Sequence, residues 1–156
     1  MKRLRELFDH FLAAWDKLLL DRALGRFAAC LETDALDAFL ELLLRVMNLV
    51  FRLDPEFRRN IRDYNVSYLF RSKDDKIVTS AEFRDGRMRV HTGAIANPDI
   101  TITFTNNRAL KQFLFTEKPD LIASIIDYEI SYVGNINYLG KLAYMAKHLQ
   151  LRFMPT

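Results

Sequence analysis

The chain has 156 residues, 50% of them hydrophobic, which excludes a disordered or fibrous protein and fits one domain with a helical extension. With 23 basic and 20 acidic residues the formal charge is only +3, and the two signs are interleaved, unlike the concentrated basic face of a nucleic-acid binder. No apolar run is long enough for a spanning helix, and the single Cys30 excludes an internal disulfide framework.

The opening MKRLRELFDHFLAAW starts like a signal peptide, but Glu6, Asp9, His10 and Asp16 interrupt the apolar region such a peptide needs. The same acids argue against a mitochondrial presequence, so the expected location is the cytoplasm. Leu4, Leu7, Phe8, Phe11, Trp15, Leu18 and Leu19 recur at helical spacing and form one apolar stripe. A break is expected near Gly25. Asp34, with Asp37 three residues on, reads as the N-cap of a second helix that ends at Asp54-Pro55, where the residue before proline disfavours helix. Its acids (Asp34, Asp37, Glu41) precede its bases (Arg45, Arg52), as the helix dipole favours. This helix is apolar almost all round, so the rest of the protein, a second copy or lipid must cover it.

From residue 66 the period changes to two. Val66 to Phe70 is a strand candidate, Ser72 to Lys76 a polar turn, and Ile77 to Phe83 a second strand. Asp85-Gly86 is a two-residue hairpin signal leading into a third strand, Arg87 to Thr92. After Asn97-Pro98, the segment DITITFT alternates, with Ile100, Ile102 and Phe104 on one face and Thr101, Thr103 and Thr105 on the other. Asn106 or Thr105 can cap a helix carrying Leu110, Phe113 and Leu114. Lys118-Pro119-Asp120 opens another, with Leu121, Ile122, Ile125 and Ile126 as its apolar members. Glu129 to Val133 is a fifth strand ended by Gly134. Asn137 can cap a last helix, on which Tyr138, Leu142, Met145 and Leu149 align.

The order is helices, a four-strand meander, two helices, one strand, one helix. A lone strand after a helical excursion rejoins the sheet. The expected fold is therefore α+β: a five-stranded, mainly antiparallel sheet with helices packed on one face. Residues 1–60 form an N-terminal helical extension packed on a main domain of residues 61–156.

Catalytic and metal-binding patterns are not found. His10, His91 and His148 lie far apart and lack a second ligand at metal spacing. There is no G-x-S-x-G, P-loop or G-x-G-x-x-G. Asp74-Asp75 reads as a solvated hairpin tip, Asp127 and Glu129 as solvated acids, and Cys30 as a buried structural thiol. The expectation is a non-enzyme with no cofactor, no metal and no nucleic-acid partner. What the last third has instead is aromatic and apolar residues, among them Phe104, Phe113, Tyr132, Tyr138 and Met145. They suit either a filled core or a greasy cavity.

Three segments carry a resemblance. NPDITITFTNN (97–107) resembles a "P-D-x-T-I" strand leading into a helix. EKPDLIASII (117–126) resembles a helix with a family proline near Pro119. EISYVGNINYLGKL (129–142) resembles a closing strand and helix with Gly134 at the family glycine. Together, in this order, they resemble the sterol carrier protein domain, a lipid-transfer module, over Val66 to Leu151. Tyr128 and Asn135 depart from that pattern, where glycine and an acid are usual.

The resemblance implies a five-stranded sheet whose inner face and helices enclose a fatty acyl, sterol-like or prenylated ligand. On that reading the fourth strand supplies Ile102 and Phe104, and the next helix Leu110 and Phe113. The helix after it supplies Leu121, Ile122, Ile125 and Ile126. Tyr132, Tyr138, Leu142, Met145 and Leu149 complete the wall, with the two tyrosine hydroxyls orienting a head group. The alternative is a scaffold subunit with a filled cavity that supports a partner enzyme, for example in quinone or lipid biosynthesis. The N-terminal helices are expected to roof the cavity, to make a homodimer or partner-protein contact, or to rest transiently on a membrane surface.

Overall fold

The computed structural model describes residues 2–32, 38–115, 127 and 129–153. Helix α1 runs over Lys2–Glu32 and α2 over Phe39–Leu53. A one-turn helix α3 (Pro55–Arg58) and a 3-10 turn (Arg59–Ile61) lead to the strands. These are β1 (Val66–Ser72), β2 (Val78–Arg84), β3 (Arg87–Thr92) and β4 (Ile100–Phe104). Helix α4 (Asn107–Phe115), β5 (Ile130–Gly134) and α5 (Ile136–Phe153) follow. The expected helix opened by Lys118-Pro119-Asp120, and the expected caps Asp34 and Asp37, lie outside the described residues.

The five strands form one sheet in the order β3-β2-β1-β4-β5. Three of its four pairings are antiparallel, while β1 and β4 run parallel, with Tyr68 opposite Ile100 and Phe70 opposite Ile102. The α+β expectation therefore stands, but the four-strand meander is corrected. Only β1 to β3 form a meander, and the chain then crosses back to place β4 beside β1. Asp99 fixes that crossing, because its carboxylate accepts from the Ser67 backbone N–H at 2.8 Å and from the Ser67 hydroxyl at 2.7 Å. The most apolar strand thereby takes a central position, and the arginine-bearing β3 takes the edge. At the β2–β3 turn Asp85 and Gly86 have φ of 52° and 68°, the left-handed pair that a two-residue hairpin requires.

Gly25 does not break α1. The helix continues because Phe27 and Cys30 are buried beyond it, and tertiary packing outweighs the roughly 1 kcal/mol penalty of a helical glycine. The Phe27 ring lies 5.8 Å from Phe39 and 5.7 Å from Phe115, which ties α1, α2 and α4 at one corner. Lys111 of α4 also donates to the Leu31 carbonyl near the end of α1, a favoured place for a cation.

Helix α2 is buried along Phe39, Leu40, Leu43, Leu44, Val46, Met47, Val50 and Phe51 and belongs to the same core as the inner face of the sheet. The rest of the protein is thus what covers it. At its end Asp54 accepts from the Glu56 and Phe57 backbone N–H groups, and from Arg152 of α5 at 2.9 Å. Burial pushes the Asp54 carboxyl up, but these hydrogen bonds and the Arg152 charge hold it below the usual carboxylate range. For the last helix the cap is Asn135, whose side chain accepts from the Asn137 N–H at 2.9 Å, rather than the expected Asn137. Asn106 caps α4 through Ala109, as expected. Among the described residues, no helix is long and apolar enough to cross a membrane.

Candidate functional site

The inner face of the sheet follows from the period of two. Val66, Tyr68 and Phe70 of β1 share it with Ala81 and Phe83 of β2 and Met88 of β3. Ile100, Ile102 and Phe104 of β4 continue it, followed by Ile130 and Tyr132 of β5, with Tyr132 opposite Ile102. Helices α2, α4 and α5 pack over this face. All the described wall residues named from the sequence meet here. Ile102, Phe104, Leu110, Phe113, Leu142, Met145 and Leu149 are buried in one apolar cluster, and Tyr132 and Tyr138 are half-buried against it. Leu121, Ile122, Ile125 and Ile126 lie outside the described residues.

The same layer also holds residues that the sequence left out of the ligand wall: Tyr68 and Phe70 of β1, Phe83 of β2, and Leu43, Met47 and Phe51 of α2. The alternation in β1 could have found the first two. Only the fold brings α2 over the sheet.

The polar part of this layer is a tyrosine cluster. Tyr68 donates from its hydroxyl to the Tyr138 carbonyl oxygen at 2.7 Å. The Tyr64 and Tyr68 hydroxyls are 2.5 Å apart. With the Tyr68 proton committed to the carbonyl, Tyr64 is the donor of that pair. The Tyr64 ring also stands edge-on to Tyr138 at 6.1 Å. Burial pushes the Tyr64 phenol up to about 12 and the Tyr68 phenol further still.

Both phenols are neutral below pH 10 in the folded and unfolded chain, so their contribution to stability is fully present there. Above pH 10 the unfolded phenols ionise while the folded ones do not, and stability falls as the pH rises toward the folded value near 12. Melting temperature is expected to be flat from pH 8 to 9 and to drop above 10. The drop should shrink in the Tyr64→Phe, Tyr68→Phe double variant. Melting followed by circular dichroism checks this, and an equal drop in the double variant would refute it.

The other singled-out groups have structural surroundings. Asp74 accepts from the Ser72 hydroxyl at 2.6 Å, and Asp75 pairs with Arg71 at 2.7 Å, so both acids build the β1–β2 turn. His91 is 2.7 Å from Glu82, and His148 lies 3.0 Å from the Asn60 amide. Asp127 and Glu129 are exposed, and burial pushes the Cys30 thiol up. Among the described residues, no three metal-ligating side chains cluster. Five surface cavities of 350 to 600 Å³ contain none of the sequence-predicted wall residues among their described linings.

No family model matches the sequence, and no curated protein matches it. Solved structures do match in shape. A sec-alkylsulfatase from Pseudomonas sp., Pisa1, aligns with a TM-score of 0.55 and 18% identity over 67% of this chain, but the match spans only 16% of that enzyme. The sterol carrier protein domain 2 of Helicoverpa armigera aligns at 0.52 with 14% identity, over 76% of this chain and 92% of that one. The ubiquinone synthesis protein UbiJ-SCP2 aligns at 0.51 with 15% identity, over 70% and 97%. Sterol carrier protein 2 from Yarrowia lipolytica aligns at 0.50 with 17% identity, over 78% and 95%. Nearly whole small domains are matched, and this chain has the sterol-carrier-protein-like fold.

Proposed function

We propose that the protein binds and carries a hydrophobic ligand of fatty acyl, sterol-like or prenylated class and catalyses no reaction. The observation that carries this reading is the continuous apolar layer between the inner faces of β4 and β5 and helices α4 and α5. Two half-buried tyrosines, Tyr132 and Tyr138, pack against it, in a fold shared with sterol carrier proteins. The ligand enters between sheet and helices, with the Tyr132 and Tyr138 hydroxyls orienting a head group. Displacing water from a dozen methylenes is worth roughly 10 kcal/mol at about 0.8 each. An association cost of at least about 4 kcal/mol leaves about 6, binding in the tens of micromolar before head-group contacts add to it. Met145 suits such a wall because an unbranched thioether adapts to flexible chains. Residues 61–156 carry the sheet and the ligand wall, and residues 1–60 are an extension packed on them whose α2 shares their core.

Mass spectrometry of solvent extracts from the purified protein is expected to find a lipid, and a fluorescent fatty acid to bind the stripped protein. Met145→Trp fills the wall, so it is expected to weaken uptake by about 10-fold or more while melting changes little. The second reading, a scaffold subunit for a partner enzyme, is favoured by the burial of Met145 and Leu149 at 0% exposure and by the likeness to UbiJ-SCP2. It takes over if the parent chain binds no lipid and Met145→Trp unfolds the protein by overpacking, at a cost of about 1–3 kcal/mol.

A further inference from the structure

Helix α1 presents two apolar faces in two places. Leu20, Ala23, Leu24, Phe27, Cys30 and Leu31 pack on the core. Toward the N-terminus, Leu7, Phe11, Leu12, Trp15, Leu18 and Leu19 stay 42–68% exposed, and the Phe11 and Trp15 rings stack at 6.4 Å. At 3.6 residues per turn, the line of Leu7, Phe11, Trp15 and Leu18 is rotated roughly 170° from the centre of the core-facing residues, with Leu12 and Leu19 on its flank. It is therefore not an unfinished part of the same packing surface, and large exposed apolar patches mark interaction sites.

We propose that this stripe is the contact of a homodimer, formed by antiparallel pairing of two α1 helices about Phe11 and Leu12. Three observations select a second copy. First, Arg3 and Asp21 are 18 residues apart, about five full turns, so they lie on one line beside the stripe. Antiparallel pairing places Arg3 of each copy near Asp21 of the other, and Leu7 near Trp15, a self-complementary contact of the two-fold kind. Parallel pairing sets like charges side by side. Second, the core-bound part of α1 begins at Leu20. Antiparallel helices therefore hold the two bodies at opposite ends, where parallel ones would press them together. Third, Lys2, Arg3, Arg5 and Lys17 against Glu6, Asp9 and Asp16 leave only +1 over residues 2–19, a weak attraction for an anionic membrane. The exposed parts of four aromatic rings alone would cover roughly 400–600 Å², a large share of the ~1,200 Å² of a small stable interface.

Sedimentation of the intact chain is expected to show a dimer at micromolar concentration. Phe11→Glu with Trp15→Glu should weaken it by roughly 100-fold or more, while circular dichroism and the melting point of the body stay unchanged. Orientation is read with a short bis-maleimide. A mixture of Arg3→Cys and Asp21→Cys chains is expected to cross-link, neither variant is expected to do so alone, and the parent chain serves as the Cys30 control. The proposal is overturned by a monomer at about 100 μM, by a dimer that survives the double substitution, or by self-cross-linking of either cysteine variant. A chain that is monomeric in solution but sediments with phosphatidylglycerol-containing vesicles also overturns it and makes the membrane the occupant.

Discussion

A fragment of residues 61–156 is expected to show no cooperative thermal transition, whereas a fragment beginning at residue 38 keeps one. The difference is α2 and the short turn after it, which carries the buried Phe57. The eight buried side chains of α2 cover the sheet, with the Phe51 ring 4.7 Å from Phe57 and edge-on to Phe83 at 6.0 Å. At roughly 1.5–3 kcal/mol for each fully buried apolar side chain, their loss removes about 12–24 kcal/mol. A domain is stable by only about 5–15 kcal/mol. Beginning at residue 38 instead sacrifices the core-facing side of α1, of which only Phe27 and Cys30 are buried and Leu20, Ala23, Leu24 and Leu31 half-buried. That is a smaller loss, about 3–6 kcal/mol for the two buried side chains at the same rate. Melts of the three chains followed by circular dichroism decide the matter. If the 61–156 fragment melts at the temperature of the intact chain, α2 is dispensable and the division at residue 60 marks an independent folding unit.

Replacing Gly134 by alanine is expected to cost about 3 kcal/mol or more and to lower the melting temperature by roughly 6–12 °C. Its φ is +129°, a conformation that side chains strain against, and an added Cβ would stand 2.4 Å from the Asp99 carbonyl oxygen and 2.9 Å from the Ile100 Cα. Both atoms are backbone, held by the pairing of Ile100 with Gly134 and by the Asp99–Ser67 hydrogen bonds, so neither can yield cheaply. The displaced strand carries Ile130 and Tyr132 away from the apolar layer, so uptake of a fluorescent fatty acid should fall as well. Gly140→Ala is the control. It lies in α5 with nothing within 4 Å of an added Cβ, and it should be neutral or stabilising by up to about 1 kcal/mol. Equal melting points for the two variants would sink the argument.

The sequence by itself determined what local physics decides. Alternation assigned Ile100, Ile102 and Phe104 to the inner face, and all three are fully buried. Asp85-Gly86 specified a turn that needs two left-handed residues. Pro55 marked the end of α2, and the all-round apolarity of that helix announced that it would be covered. Other features waited for the tertiary structure. The partner of β4 is β1 because Asp99 and the crossing after β3 bring distant segments together, and nothing in the pattern of either strand names its neighbour. Helix α1 passes through Gly25 because Phe27 finds Phe39 and Phe115, contacts worth more than the glycine penalty. The buried Tyr68 hydroxyl is satisfied because α5 brings the Tyr138 carbonyl to it from 70 residues away. Faces and turns are set by spacings of a few residues, which the sequence displays. Strand order and buried polar partners are set by contacts between segments far apart in the chain, and those exist only once the chain has folded.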